Sequence, residues 1–400
     1  MSKGNYKLLM RSLDIPHFRN IEELSNFTGL SETLLYCLSQ KSERYYKKIN
    51  IPKKSGGNRE VFAPSFQMHV VQRWILRNIL DKIRPSKQAM AFRRGKEYGC
   101  KSNAIFHIET HYGVAMDLKN FFPNIGANQV YNVFSYIGYD NLSATILTNL
   151  CTLNGFLPQG GSCSPALSNL VCLSLDARLN GLCKQRRIRF SRYADDMYFS
   201  CDNQNILKKA IPIIRKIIYD EGFTINEKKV HYYTPSNRKV ITGITISKGI
   251  HETEPQLRAN KNFKKKIRSE IFKAMMTGDY SAKAHILGEV AYVNYLEPKY
   301  TEKVKQYIDS TSKKILIFPE LVNMYNDNKF YSDIKEISYT DLSSFQHIFS
   351  YDDIELEEYL VDVYESRQTY LKKIGMLDIC KYEGWPLSTD DKTSYDDFPF

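Results

Sequence analysis

Apolar residues recur along this chain with two different periods, and the changes of period mark its elements. Between residues 67 and 83, Val70, Val71, Trp74, Ile75, Ile79 and Ile83 fall at helical spacing and predict one amphipathic helix. Helical patterns also cover Val130, Val133 and Phe134, then Ile146, Leu147 and Leu150. Another runs from 166 to 179 through Leu167, Leu170, Leu175 and Leu179, and one from 205 to 220 has a basic outer face (Lys208, Lys209, Arg215, Lys216). Near the start, Asn20 caps a helix that Gly29 breaks and Ser31 restarts. Strand patterns appear at Val114, Met116 and Leu118; β-formers also flank Asp195 on both sides, and 240–246 is β-branched and strand-like. Residues 49–64 read as a hairpin turning at Ser55-Gly56-Gly57-Asn58. From 255 to 315 the pattern is again helical. Arg258, Lys261, Lys264, Lys265, Lys266 and Arg268 are predicted on one helix above a stripe of Phe263, Ile267, Ile271 and Phe272; a second helix covers 282–296, and a third ends near 315. A last helix is expected from Asp352 towards Gly375. Strands and helices in separate runs predict an α+β fold.

Charge divides the chain. Residues 316–400 hold 7 Lys+Arg and 18 Asp+Glu, which leaves 49 and 26 in residues 1–315. The first four-fifths is therefore strongly basic, as expected of a polyanion binder, while the tail is acidic. No apolar run is long enough for a membrane span and no signal-peptide core opens the chain, so a cytoplasmic location without membrane contact is expected. The eight cysteines are spaced singly, which argues against a zinc site or a disulfide frame.

Within the basic part lies Tyr193-Ala194-Asp195-Asp196, two carboxylates at the tip of a predicted hairpin. Side-by-side acids are unfavourable unless a cation lies between them or water solvates them, so a solvated turn remains an alternative. Asp117 ends the strand of Val114 and Met116, and Leu157-Pro158-Gln159-Gly160-Gly161 forms a loop opening a helix. Asn103 and His107 share one helical face if helical, a spacing that also suits a cap and a satisfied histidine. Asp176, on the helix over 166–179, reads as structural and not as a metal ligand.

In that order, the Asp117 strand, the Gln159 loop and the Asp195-Asp196 hairpin resemble the palm of a reverse transcriptase. Asn103-Ala104-x-x-His107 and Ile241-Thr242-Gly243 resemble the marks of its retron branch, which carries Val-Thr-Gly where this chain has Ile-Thr-Gly. The resemblance spans residues 20–310 and implies a right-hand polymerase fold. In it, 1–50 is an N-terminal helical region and 51–250 the fingers and palm, with fingers mainly 51–115 and 125–157. Residues 251–315 are a helical thumb and 316–400 an acidic, mainly helical extension.

The implied chemistry is RNA-directed DNA synthesis with two Mg²⁺ ions held by Asp117, Asp195 and Asp196. Lys229, with Lys228 as competitor, would protonate the leaving pyrophosphate. Arg59 and one of Lys53 and Lys54 would hold the incoming dNTP's triphosphate; Phe122 would exclude a 2′-OH and Gln159 would orient the nucleotide. Asn103, His107, Thr242 and Gly243 would handle cognate RNA, and Lys264, Lys265 and Arg268 would line a phosphate backbone. The implied partners are a structured non-coding RNA (msr-msd), its branched msDNA product primed from a guanosine 2′-OH, host RNase H, and an effector protein in anti-phage defence. A group II intron-like or abortive-infection enzyme, and an RNA-binding scaffold restraining a toxic effector, stay open as alternatives.

Overall fold

The structure, a computed structural model, describes residues 10–52, 57–248, 254–277 and 281–317, and it divides into two compact units, 1–260 and 261–400. The predicted helix beyond Asp352 lies outside the described residues.

The first unit is built on a four-stranded antiparallel sheet of order β4-β5-β3-β6. Its strands are β3 (Tyr112–Asp117), β4 (Arg189–Tyr193), β5 (Asp196–Cys201) and β6 (His231–Tyr233). The register sets Asp117 opposite Asp196, Met116 opposite Met197 and Val114 opposite Phe199. Because side chains alternate, Val114, Met116, Met197 and Phe199 leave one face, joined there by Phe190 and Arg192 from β4. The helices Leu173–Gln185 and Gln204–Asp220 cover that apolar face, and the Phe190 and Phe199 rings stack at 4.9 Å. The opposite face carries Asp117, Asp196, Tyr198, Ser191 and Ser200. Against that side lie the helix Cys100–Phe106 and a small sheet of β7 (Lys239–Ile241), β8 (Ile244–Ser247) and β9 (Gln256–Arg258).

The hairpin of β1 (Tyr46–Pro52) and β2 (Asn58–Pro64) pairs Pro52 with Asn58, as the glycine-rich turn predicts, and begins three residues earlier than the pattern suggests. Asn20 caps the helix Ile21–Thr28 by accepting the Glu23 amide, and Gly29 ends it at φ 69°, the left-handed region glycine adopts without a Cβ clash. The region before residue 50 packs into the same core through Phe18, Leu24, Leu35 and Leu38.

Several expectations need correction. The strand expected over 240–246 is broken at Thr242-Gly243 into β7 and β8, which pair with each other. The helix expected to reach Ile83 runs Phe66–Asn78; Ile79 leaves helical geometry and a short 3₁₀ turn follows. The helix over 166–179 is two helices, Ser164–Val171 and Leu173–Gln185, meeting at Cys172. Arg258 belongs to β9 and not to the basic helix Lys261–Thr277.

The second unit contains that helix, Lys283–Leu296 and Tyr300–Ile317. Ile267 and Ile271 are buried as predicted, whereas Phe272 is 40% exposed. No helix among the described residues is long and apolar enough to cross a membrane.

Candidate active site

Ala194 and Asp195 connect β4 to β5 in a two-residue turn, with Ala194 at φ 57°. Arg192 holds this unusual turn from behind. Its guanidinium is fully buried, donates to both Asp176 carboxylate oxygens at 2.8 and 2.7 Å, and also donates to Asn169 Oδ1 and the Ala194 carbonyl. Asp176 is thus a structural ion-pair partner of Arg192.

The chain continues past β3 in register: the Leu118 amide donates to the Asp195 carbonyl, and Leu118 bridges to Ile225. The Asn226 amide donates to the Asp117 carbonyl, and a 3₁₀ turn over Glu227–Lys229 follows. That turn brings the Lys229 ammonium onto Asp117 Oδ2 at 2.7 Å. Lys228 is exposed and has no such contact described. Asp117, Asp195, Asp196 and Lys229 therefore meet at one end of the sheet, from three separate stretches of sequence.

Electrostatically the end of the sheet is under load. Burial first, and then the Asp117 charge, raise the Asp195 carboxyl above its ordinary range, against the lowering fields of Lys229 and Arg59. Burial, Asp195 and Asp117 raise Asp196 to about 6. Crowded carboxylates that resist ionisation are a site short of positive charge. Hard oxygen donors gathered in this way fit Mg²⁺, which prefers carboxylate oxygen and water.

Around the acids, Arg59 stands on β2, with its field reaching Asp195. Lys53 and Lys54 lie outside the described residues. Phe122 is half-buried, with its ring 5.4 Å from Phe121 and 6.3 Å from Phe92. Gln159 is tied to the β1–β2 hairpin by its carbonyl, which accepts the Phe62 amide at 2.8 Å. The next residue must be glycine: Gly160 has φ 118°, and a Cβ there would meet the Phe62 carbonyl oxygen at 2.6 Å. Gln72, fully buried, accepts the Ser162 amide and donates to the Leu150 carbonyl and the Tyr46 hydroxyl, fixing the same loop.

Asn103 and His107 are both fully buried, so neither side chain presents itself to a ligand. Ser191 donates to Asn103 Oδ1 at 2.5 Å, so it accepts from His107 Nε2–H at 2.8 Å. Nδ1 then accepts from Ser200 at 2.6 Å. His107 thereby ties β4 to β5. Burial, reinforced by Lys239 and Arg189, drops its pKa to about 3 and keeps it neutral. Thr242 and Gly243 form the β7–β8 turn at φ 47° and 78°. In the second unit, Lys264 is bound to Glu297 at 2.7 and 3.0 Å, whereas Lys265 and Arg268 are exposed.

Sequence reasoning passed over Arg192 and Gln72. A signal existed for Arg192: it alternates with Phe190 onto the apolar face, and Asp176 is an acid among leucines. Two opposite charges, each on an apolar face, need each other.

Residues 51–275 match the family described as reverse transcriptase (RNA-dependent DNA polymerase). The chain is 31% identical over 307 residues to the Retron Ec86 reverse transcriptase of Escherichia coli, covering 76% of this chain and 93% of that one. It is 30% identical over 315 residues to the Retron Mx65 reverse transcriptase of Myxococcus xanthus, covering 72% and 71%. A solved telomerase from Candida albicans in complex with a fragment of telomeric RNA aligns at 12% identity with a TM-score of 0.42, over 76% of this chain and 62% of that one, too distant to carry an argument.

Proposed function

Because this chain belongs to the reverse transcriptase family, in its retron branch, and is an RNA-directed DNA polymerase, we propose that it copies part of a cognate structured RNA (msr-msd) into msDNA, priming from a guanosine 2′-OH. The observation that carries the reading is the convergence of Asp117, Asp195 and Asp196 at one end of the sheet, with two of the three carboxyls held above their ordinary range. Two Mg²⁺ ions bound there would stabilise the attacking and leaving oxygens of in-line nucleotidyl transfer.

The chain's own residues do the rest. Asp117, Asp195 and Asp196 hold the ions. Arg59, with Lys53 or Lys54, holds the triphosphate of the incoming dNTP, where charge must be offset as pyrophosphate leaves. Phe122 forms the floor that excludes a ribose 2′-OH, and Gln159 orients the nucleotide from a loop locked by Gln72. Lys229, already on Asp117, is the proton donor to pyrophosphate. Asn103 and His107 serve cognate RNA indirectly, by setting the shape of the surface over them. Thr242 and Gly243 shape that surface at the β7–β8 turn. In the second unit Lys265 and Arg268 meet the phosphate backbone, and Lys264 contributes by bracing their helix through Glu297. We assign fingers and palm to 51–250, thumb to 251–315 and the acidic tail, 316–400, to docking an effector protein. Host RNase H trims the template, and the assembly serves anti-phage defence in the cytoplasm.

The test is to purify the protein with its nucleic acid. The reading expects RNase-resistant DNA joined to RNA through a 2′ branch. A variant carrying Asp195→Ala and Asp196→Ala should retain the RNA and lose the DNA. Branched DNA persisting in that variant would reject the assignment.

A further inference from the structure

Phe92 is an aromatic residue in a conformation that aromatics avoid. Its φ is 59°, in the left-handed region, and its side chain is 47% exposed. Neither the freedom of a glycine nor deep burial accounts for it, so the surroundings must impose it. They do so through bonds on both sides of the residue. Before it, the Met90 amide donates to the Arg192 carbonyl at 2.7 Å, and the Arg192 amide donates to the Gln88 carbonyl at 2.8 Å. After it, the Arg93 guanidinium donates to the Ser86 and Ala89 carbonyls and lies 3.5 Å from the centre of the Tyr98 ring. The Gly99 amide closes the loop on the Met90 carbonyl at 2.9 Å.

These bonds refer the loop to the turn that carries Asp195. Arg192, which donates to the Ala194 carbonyl, also donates to Asn169 Oδ1. Asn169 in turn donates from Nδ2 to the Ala91 carbonyl at 2.9 Å, one residue before Phe92. The Phe92 ring then meets Phe122, with centroids 6.3 Å apart and planes tilted by 50°, within the range of aromatic contact. Phe122 also meets Phe121 at 5.4 Å, and Phe121 is 3% exposed and packs on Phe223 at 5.8 Å. The half-buried Phe122 ring is thus bounded by one aromatic from the core and one from the loop. A phenyl ring turns about two side-chain bonds, and without Phe92 only the core neighbour of this pair would restrain it.

We propose that Phe92 is a positioning residue that sets the specificity of synthesis: its ring backs Phe122 and holds it where it rejects a ribose 2′-OH. The inference rests on reading Phe122 as that gate. The strained backbone then serves to stand an aromatic ring beside the gate, from a loop anchored on the strand that leads into Asp195.

The experiment measures kcat/KM for dATP and for ATP in single-nucleotide primer extension on an RNA template, with the full-length protein. Phe92→Gly removes the ring and suits the left-handed backbone. Its preference for dATP should fall on the order of 10-fold through better use of ATP, with kcat/KM for dATP within about 3-fold of the parent. Phe92→Tyr keeps the ring and should retain the parent's preference within about 2-fold. A residue that only supports the fold would lower both values together. An unchanged preference in Phe92→Gly, or an equal fall for both nucleotides, would therefore overturn the proposal. If Phe92→Gly does not fold, Phe92→Asn, which also tolerates that backbone, decides by the same ratio. Phe122→Ala separates the premises and should lower the preference on the order of 100-fold. A preference unchanged there removes the gate reading itself, whereas one lost there but intact in Phe92→Gly removes only the positioning role.

Discussion

Asp176 and Asp196 approach the same hairpin from opposite faces of one sheet, and everything around them differs. Asp176 is fully buried and forms two short bonds with an equally buried arginine. Asp196 is crowded by two other acids, and its pKa is raised to about 6. The helix-covered face places polarity only where it is matched. The other face accumulates negative charge at its end and leaves that charge for a cation to satisfy. The difference separates a carboxylate that maintains the fold from one that the fold tolerates for the sake of chemistry.

The sharpest way to break the comparison is to exchange the consequences of losing each acid. Asp176→Ala strands a buried guanidinium and should cost about 3–5 kcal/mol of stability, read by denaturant unfolding. A loss below about 1 kcal/mol would mean that Arg192 finds another partner and that the helix-covered face is not so strictly matched.

A somewhat smaller loss is expected at His107, which tests whether the interior polar groups on the catalytic side follow the same rule. His107→Ala opens a cavity and leaves Ser191 and Ser200 short of a partner, which should cost about 2–4 kcal/mol. Its acid dependence has a defined sign. The folded pKa is depressed to about 3, so the unfolded chain binds the proton more readily. His107 therefore favours the fold fully above its ordinary pKa of 6.5, and this contribution is lost as pH falls from there towards 3. Thermal midpoints of His107→Ala and its parent should converge over that interval.

The smallest effect has the opposite sign and so sharpens the contrast most. Asp196 has a raised folded pKa, so its contribution is present below its ordinary value of 3.8 and lost as pH rises through about 6. In EDTA at pH 7.5, Asp196→Asn should be more stable than the parent, on the order of 1–3 kcal/mol, and the two should converge near pH 4. An equal or lower midpoint at pH 7.5 would remove the distinction between tolerated and structural acids.

Much of this arrangement could be read along the chain, and the rest could not, for a definite reason. Strand-forming residues around Met116 and Phe199 and a turn at the paired aspartates are local properties, so the hairpin and its acids were legible, although the turn falls one residue earlier, at Ala194-Asp195. Their order with the Gln159 loop carried the family. Which charges are buried is decided by partners far away in sequence. Arg192 alternates with Phe190 onto the apolar face, but only the fold shows that Asp176 is the acid it meets. Gln72 looks like the polar side of a helix until the Ser162 amide arrives from ninety residues away. Lys264 and Arg268 look alike on one basic helix, but Glu297 claims only the first. The break at Cys172 escaped notice because apolar residues continue on both sides of it.

The central claim is that three acids brought together at the end of one sheet perform the synthesis of DNA on RNA. Primer extension on an RNA template, measured for the parent and for the Asp195→Ala, Asp196→Ala variant alongside their thermal midpoints in EDTA, tests it most directly. The account predicts a fall of about a thousandfold or more in extension, at least 4 kcal/mol in the barrier, with a midpoint no lower than the parent's. Extension within about tenfold of the parent, from a variant equally well folded, would contradict it.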